Sequence, residues 1–228
     1  MQYTTTEASD EVTLNPAQPP LGSVVLLHGL GADGWDFVPI VAELALPDSL
    51  PVRFVFPHAP VRPVTVNNGY EMRAWYDIKA FTPEGRADAP GLAESVRRIE
   101  TCLQAEITRG VPPSRIVLAG FSQGGAVALH AGLRFGQRLC GLLALSTYLP
   151  SPATLAAEKS PTNQDLPILM CHGRLDPLVP LSLGLAARDA LQALGYAVEW
   201  QEYPMQHEVC AAELLAISRW LQARIAVT

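Results

Sequence analysis

A chain of 228 residues, 49% hydrophobic and 17% charged, can bury one sizeable core and has a length at which α/β folds often form a single unit. Its net charge of −6, with no basic run, excludes the electrostatic footprint of a nucleic-acid binder or of a protein held on anionic lipid. The longest apolar runs, such as Val24 to Leu27, are far shorter than a membrane span.

Met1 to Asp10 is polar and acidic and lacks the charged and apolar regions of a signal peptide. Cys102, Cys140, Cys171 and Cys210 show no CxxC spacing, so they read as free thiols in a reducing compartment and not as a disulfide or metal framework. The expectation is a cytoplasmic protein without a stable membrane anchor.

Residues 1–20 are polar, end in Pro19-Pro20 and read as an N-terminal arm with a short edge strand near Val12 to Leu14. Residues 21–228 read as one domain. Ser23 to Leu27, Arg53 to Phe56, Arg115 to Ala119, Leu142 to Leu145 and Ile168 to Cys171 are short apolar runs typical of strands buried on both faces. Val198 to Tyr203 alternates and is expected nearer the sheet edge.

Helical stripes lie between them. Leu92, Val96, Ile99, Leu103 and Ile107 form one, with Glu94, Arg97, Arg98, Glu100 and Glu106 on other faces. Leu183, Ala187, Ala190, Leu191 and Leu194 form another, closed by Gly195, and Leu214, Ile217, Leu221 and Ile225 form the last. This alternation predicts an α/β fold with a mostly parallel central sheet and helices on both faces. Residues 57–90 break the rhythm. Tyr70, Met72, Trp75, Tyr76 and Phe81 make this segment too apolar for disorder, so it reads as a lid-like loop or pocket wall, with a short strand at Ala74 to Ile78.

Gly120-Phe121-Ser122-Gln123-Gly124 matches G-x-S-x-G between a predicted strand and a predicted helix, the setting of a nucleophile elbow. Side chains at 120 and 124 would collide with the adjoining elements, and the turn places Ser122 Oγ at a helix N-terminus, where developing negative charge is favoured. In such an elbow the acid and then the histidine follow the serine along the chain. Asp176 lies on the loop after the strand Ile168 to Cys171, at the edge where α/β sheets build their sites. Asp165 precedes that strand and Asp189 lies inside a helix. His207 follows the last strand. His28 reads as structural, His58 lies in the long loop, His130 inside a helix, and His172 is crowded beside Gly173.

Ser122, His207 and Asp176 therefore form a candidate nucleophile, base and orienting acid. The backbone N–H of Gln123 and that of Leu30, in His28-Gly29-Leu30-Gly31, are the candidate oxyanion donors. Reading Gly29-x-Gly31-x-x-Gly34 as a phosphate loop fails for want of a following Lys and an acidic ribose ligand. The chemistry needs no cofactor or metal, and no metal cluster is evident.

Leu27-His28-Gly29-Leu30-Gly31, the elbow, Asp176-Pro177-Leu178-Val179-Pro180 and Met205-Gln206-His207-Glu208 occur in one order. With Pro57-His58-Ala59-Pro60 and Arg73-Ala74-Trp75-Tyr76-Asp77, they make residues 21–225 resemble the phospholipase/carboxylesterase family of the α/β-hydrolase fold, similar to acyl-protein thioesterases. The resemblance implies hydrolysis of esters, thioesters or lysophospholipids, and a Trp75 loop that helps form the acyl pocket. Leu30, Met72, Trp75, Leu178 and Val179 are the expected lining for an apolar acyl group. The family commonly has Gly where this chain has Gln206.

The expected partner is a small-molecule ester or acyl-thioester, with no nucleic acid. Aromatics on the lid-like loop leave a homodimer contact open. An acyltransferase, in which an alcohol replaces water, or a non-catalytic binding protein on the same fold are the alternatives. A peptidase is disfavoured by the harder amide leaving group.

Overall fold

The computed structural model describes residues 2–80 and 88–226; Phe81 lies outside the described residues. Its strands are β1 (Tyr3–Glu7), β2 (Glu11–Pro16), β3 (Gly22–Leu27), β4 (Val52–Pro57), β5 (Val61–Val64), β6 (Tyr70–Arg73), β7 (Ile116–Phe121), β8 (Gly141–Leu145), β9 (Ile168–Gly173) and β10 (Val198–Tyr203). Its α-helices are α1 (Ile40–Glu43), α2 (Ala89–Thr108), α3 (Gln123–Arg134), α4 (Pro152–Glu158), α5 (Leu181–Ala193) and α6 (Ala211–Ile225).

Eight strands form one sheet in the order β1-β2-β4-β3-β7-β8-β9-β10. From β4 to β10 every pairing is parallel, and β1 and β2 add an antiparallel edge. Strand alternation sorts β3 between two cores. Val25 and Leu27 face one that takes the apolar sides of α2, α3 and α5, while Val24 and Leu26 face the other, covered by α1 and α6. Each fully buried Leu or Val contributes roughly 1.5–3 kcal/mol, so the continuous apolar strands hold both layers together.

Two expectations are corrected. Residues 3–16 are more than an arm: the strand expected near Val12 to Leu14 lies within β2, and the whole Thr-rich hairpin pairs through β2 with β4 and extends the sheet. Ala74 to Ile78 is irregular; the pairing in this region is the separate hairpin β5–β6, turned by Asn68 and Gly69 at φ 56° and 74°. Glu106, outside the apolar stripe of α2, is buried as well. Its carboxylate accepts from the Ser23 hydroxyl and lies 2.7 Å from Arg109 Nη1 and 3.5 Å from Arg53 Nη1. Burying that charge is tolerated because both guanidinium groups compensate it.

Chain direction across the sheet reverses at β3. The chain passes from β3 outward to β4, then returns over β3 to β7 on its other side. Such a switch opens a crevice at the carboxyl ends of the two strands. The register Leu27↔Gly120 sets the residues that follow, His28 and Ser122, on either side of it.

Candidate active site

Ser122 sits between β7 and α3 at φ 54° and ψ −120°, a conformation that L-residues occupy only under strain. The elbow is closed by contact. A Cβ on Gly120 would stand 2.3 Å from Gly124 O, and one on Gly124 would stand 2.4 Å from Leu27 O. Ser122 N–H donates to Leu145 O at 2.9 Å, and the Thr147 hydroxyl donates to Ser122 O at 2.6 Å, so β8 fixes the strained residue from the side.

Asp176 follows β9, with its side chain shut off from solvent. Oδ1 accepts the backbone N–H groups of Leu178 at 2.9 Å and Val179 at 2.8 Å. Oδ2 is left facing His207 Nδ1 at 2.6 Å. Because a carboxylate only accepts, Nδ1 carries the proton and Nε2 is the bare acceptor, 2.8 Å from Ser122 Oγ. The Phe121 ring packs on His207 with centroids 4.7 Å apart. The three residues predicted from sequence thus form one hydrogen-bonded line. Asp165 and Asp189 lie elsewhere, paired with Arg138 and Arg188.

The loop after β3 reaches the same point: a Cβ on Gly29 would lie 3.5 Å from Ser122 Cβ. Its neighbouring donors are already engaged, Gly31 N–H to Arg73 O at 2.8 Å and Ala32 N–H to Gly29 O at 3.3 Å. His28 braces the loop from inside. Its Nε2 accepts the Ala59 N–H at 3.0 Å, which leaves the proton on Nδ1 to reach Gly29 O at 2.7 Å. Burial pulls His28 down to about 4, keeping the ring neutral as both bonds require. Gln123 begins α3, whose first N–H groups have no partner within the helix.

The five residues expected to line a pocket divide into two groups. Leu30 and Met72 are half-buried, and Met72 Sδ would lie 3.7 Å from a Cβ on Gly31. Leu178 is 62% exposed beside the acid, with Leu175 as a second exposed apolar residue on that loop. Val179 and Trp75 are instead buried. Val179 holds the Asp176 loop through its backbone, and the Trp75 indole donates to His28 O at 2.9 Å, behind the crevice.

Sequence reasoning undervalued His172. Its Nε2–H donates to Val179 O at 2.8 Å, and the ring lies 3.8 Å from Asp176 Oδ2. Burial holds its pKa below the ordinary histidine value. A neutral donor thus ties down the loop that orients Asp176; a His directly at a strand's C-terminal end was the available signal. Gln206 is exposed and needs no left-handed backbone, so the side chain is accommodated where the family commonly has Gly. No helix among the described residues is long and apolar enough to cross a membrane.

The sequence profile of the family described as Phospholipase/Carboxylesterase matches residues 8–225. Acyl-protein thioesterase 1 of Neurospora crassa is 39% identical over 212 residues, 89% of this chain and 86% of that protein. The crystal structure of Arabidopsis thaliana SOBER1 is similar with a TM-score of 0.85 at 30% identity, over 90% of this chain and 99% of that one. That of Zea mays acyl-protein thioesterase 2 gives 0.83 at 27% identity, over 94% and 98%. The chain is an enzyme of the α/β-hydrolase fold and belongs to the phospholipase/carboxylesterase family.

Proposed function

We propose that this hydrolase cleaves carboxylic esters and thioesters of apolar acyl groups through an acyl-enzyme, with Ser122 as nucleophile, His207 as base and then acid, and Asp176 as the orienting carboxylate. The observation that carries this reading is the unbroken line from Asp176 Oδ2 through His207 to Ser122 Oγ, at 2.6 and 2.8 Å.

Ser122 Oγ attacks the carbonyl carbon while its proton passes to His207 Nε2. The carbonyl electron pair moves to oxygen, and the backbone N–H groups of Leu30 and Gln123 receive that oxyanion. The carbon–oxygen or carbon–sulfur bond then breaks, and the Nε2 proton goes to the leaving alcohol or thiol. Water repeats the sequence on the acyl-enzyme: its proton goes to Nε2, its oxygen joins the carbonyl carbon, and Ser122 leaves with the proton restored. Asp176 keeps His207 in the required tautomer and stabilises the imidazolium.

In this reading Leu30, Met72 and Leu178 meet the acyl chain, while the buried Val179 and Trp75 support them from behind. The relatives named acyl-protein thioesterase favour an S-acylated protein as substrate, with the exposed Leu175 and Leu178 at the rim receiving the chain. Hydrolysis rates across p-nitrophenyl ester and acyl-thioester series test this. Activity that rises with acyl length in both series is expected; no cleavage in either would overturn it. Product analysis with added alcohols separates hydrolysis from acyl transfer.

A further inference from the structure

Gln123 has two parts with separate work. Its backbone N–H opens α3 beside Ser122, while its buried side chain turns toward the segment after β6. Oε1 accepts the Trp75 N–H at 2.9 Å, and Nε2 donates to Tyr76 O at 2.7 Å. These partners fix the amide's orientation, because an N–H can only donate and a backbone carbonyl only accept. The Trp75 indole donates in turn to His28 O at 2.9 Å, and the two rings lie 5.2 Å apart. The Ser95 hydroxyl of α2 closes on Trp75 O from behind. One residue earlier than this segment, Arg73 O takes the Gly31 N–H at 2.8 Å.

A continuous strut therefore runs from Gln123 through Trp75 to His28, and Leu30 lies within the loop it braces. That loop is irregular chain broken by Gly29 and Gly31, so regular secondary structure does not set its distance from α3. An oxyanion hole works only when both donors reach the same oxygen, within about 2.7–3.1 Å.

We infer that the Gln123 side chain is a positioning residue: acting through Trp75 and His28, it sets the Leu30 N–H opposite the Gln123 N–H so that both meet one oxyanion. The inference rests on Ser122 as nucleophile and on these two N–H groups as its oxyanion donors.

The test compares Gln123→Met, Gln123→Glu and Trp75→Phe with the wild type in ester hydrolysis and in inhibition by an alkyl boronic acid. Ser122 Oγ adds to the boron, and the tetrahedral adduct presents an oxygen to the hole. Gln123→Met keeps the length but loses both bonds. It should lower kcat by about 10- to 100-fold, less than the outright loss of a donor, with KM within about twofold, and should weaken the boronate by a similar factor, as an interaction made only in the transition state requires. Gln123→Glu can keep both bonds as the neutral acid, so its deficit relative to wild type should shrink as pH falls, whereas its carboxylate faces Tyr76 O. Trp75→Phe, which lacks the indole N–H, should reproduce the selective loss.

Lower thermal stability with wild-type kcat and boronate affinity would reduce Gln123 to a packing role and overturn the inference. If Gln123→Met does not fold, the pH series on Gln123→Glu decides in its place, and a flat ratio to wild type would count against the inference. Failure of a fluorophosphonate to label Ser122 in the wild type would instead overturn the underlying reading of the nucleophile.

Discussion

Ser122 Oγ and His207 Nε2 meet at 2.8 Å although 85 positions separate them in the chain. Two strands, β8 and β9, stand between β7 and β10 in the sheet. The His207 loop bridges that gap by crossing directly over the end of β9. Arg174 N–H donates to Tyr203 O at 2.8 Å and Leu175 N–H to Met205 O at 3.0 Å. The crossing is close because residue 173 has no side chain.

Gly173→Ala should therefore act on the catalytic distance. Its Cβ would lie 2.3 Å from Gln206 O and 2.5 Å from Met205 O, an overlap relieved only by moving the His207 loop. A displacement near 1 Å costs roughly 100-fold in rate. The expected result is a kcat lower by about that factor with the protein still folded; a wild-type kcat would show that the loop tolerates the methyl group.

Asp176→Asn should preserve the loop and disable the base. The amide oxygen can still accept from the Leu178 and Val179 N–H groups, as Oδ1 does, but its NH2 would then face His207 Nδ1 and force the proton onto Nε2. Such a tautomer error costs about 10⁴ in kcat. Steady-state kinetics check this, and a loss under tenfold would remove Asp176 from its role.

Leu178→Ser should alter substrate preference without touching stability, since the side chain is 62% exposed. Removing about 1–2 kcal/mol of apolar contact should raise KM for long acyl chains roughly 5- to 30-fold and leave short-chain esters unaffected. A uniform change across chain lengths would take Leu178 off the acyl path.

Glu213, in the first turn of α6, is buried with neither carboxylate oxygen in a well-formed hydrogen bond. Burial pushes its pKa up from 4.5 to about 8, opposed only in part by the nearby Cys210 backbone. Between those values the folded chain holds a proton that the unfolded chain has released, so stability falls as pH rises through the window. Cys171 and Tyr203, pushed up by the same burial, offer no compensating positive charge. Glu213→Gln should raise Tm near pH 9, by roughly 2–4 °C for each kcal/mol of linkage removed at this length, and bring no gain below about pH 4.5. Equal gains at both pH values would contradict the assignment.

The strands β3, β4, β7, β8 and β9 were legible because burial on both faces leaves uninterrupted apolar runs; Ser122 and Asp176 lie just beyond two of these runs, and His207 just beyond the alternating edge strand β10. The β5–β6 hairpin carried a signal that was passed over, since Asn68-Gly69 is a natural pair for a turn with two positive φ values. The burial of Glu106 was not legible, because Ser23, whose hydroxyl donates to it, and Arg53, which pairs with it, lie far away in sequence. Trp75 read as pocket wall because nothing local shows that its indole finds His28 O and turns the ring inward.

The central claim is that Ser122 is the nucleophile. The most direct measurement is mass spectrometry of the protein after reaction with a fluorophosphonate, paired with ester hydrolysis by wild type and Ser122→Ala. The account predicts a single adduct on Ser122 in the wild type, none in the variant, and a fall in turnover of roughly six orders of magnitude. An adduct on another residue, or substantial hydrolysis by Ser122→Ala, would contradict it.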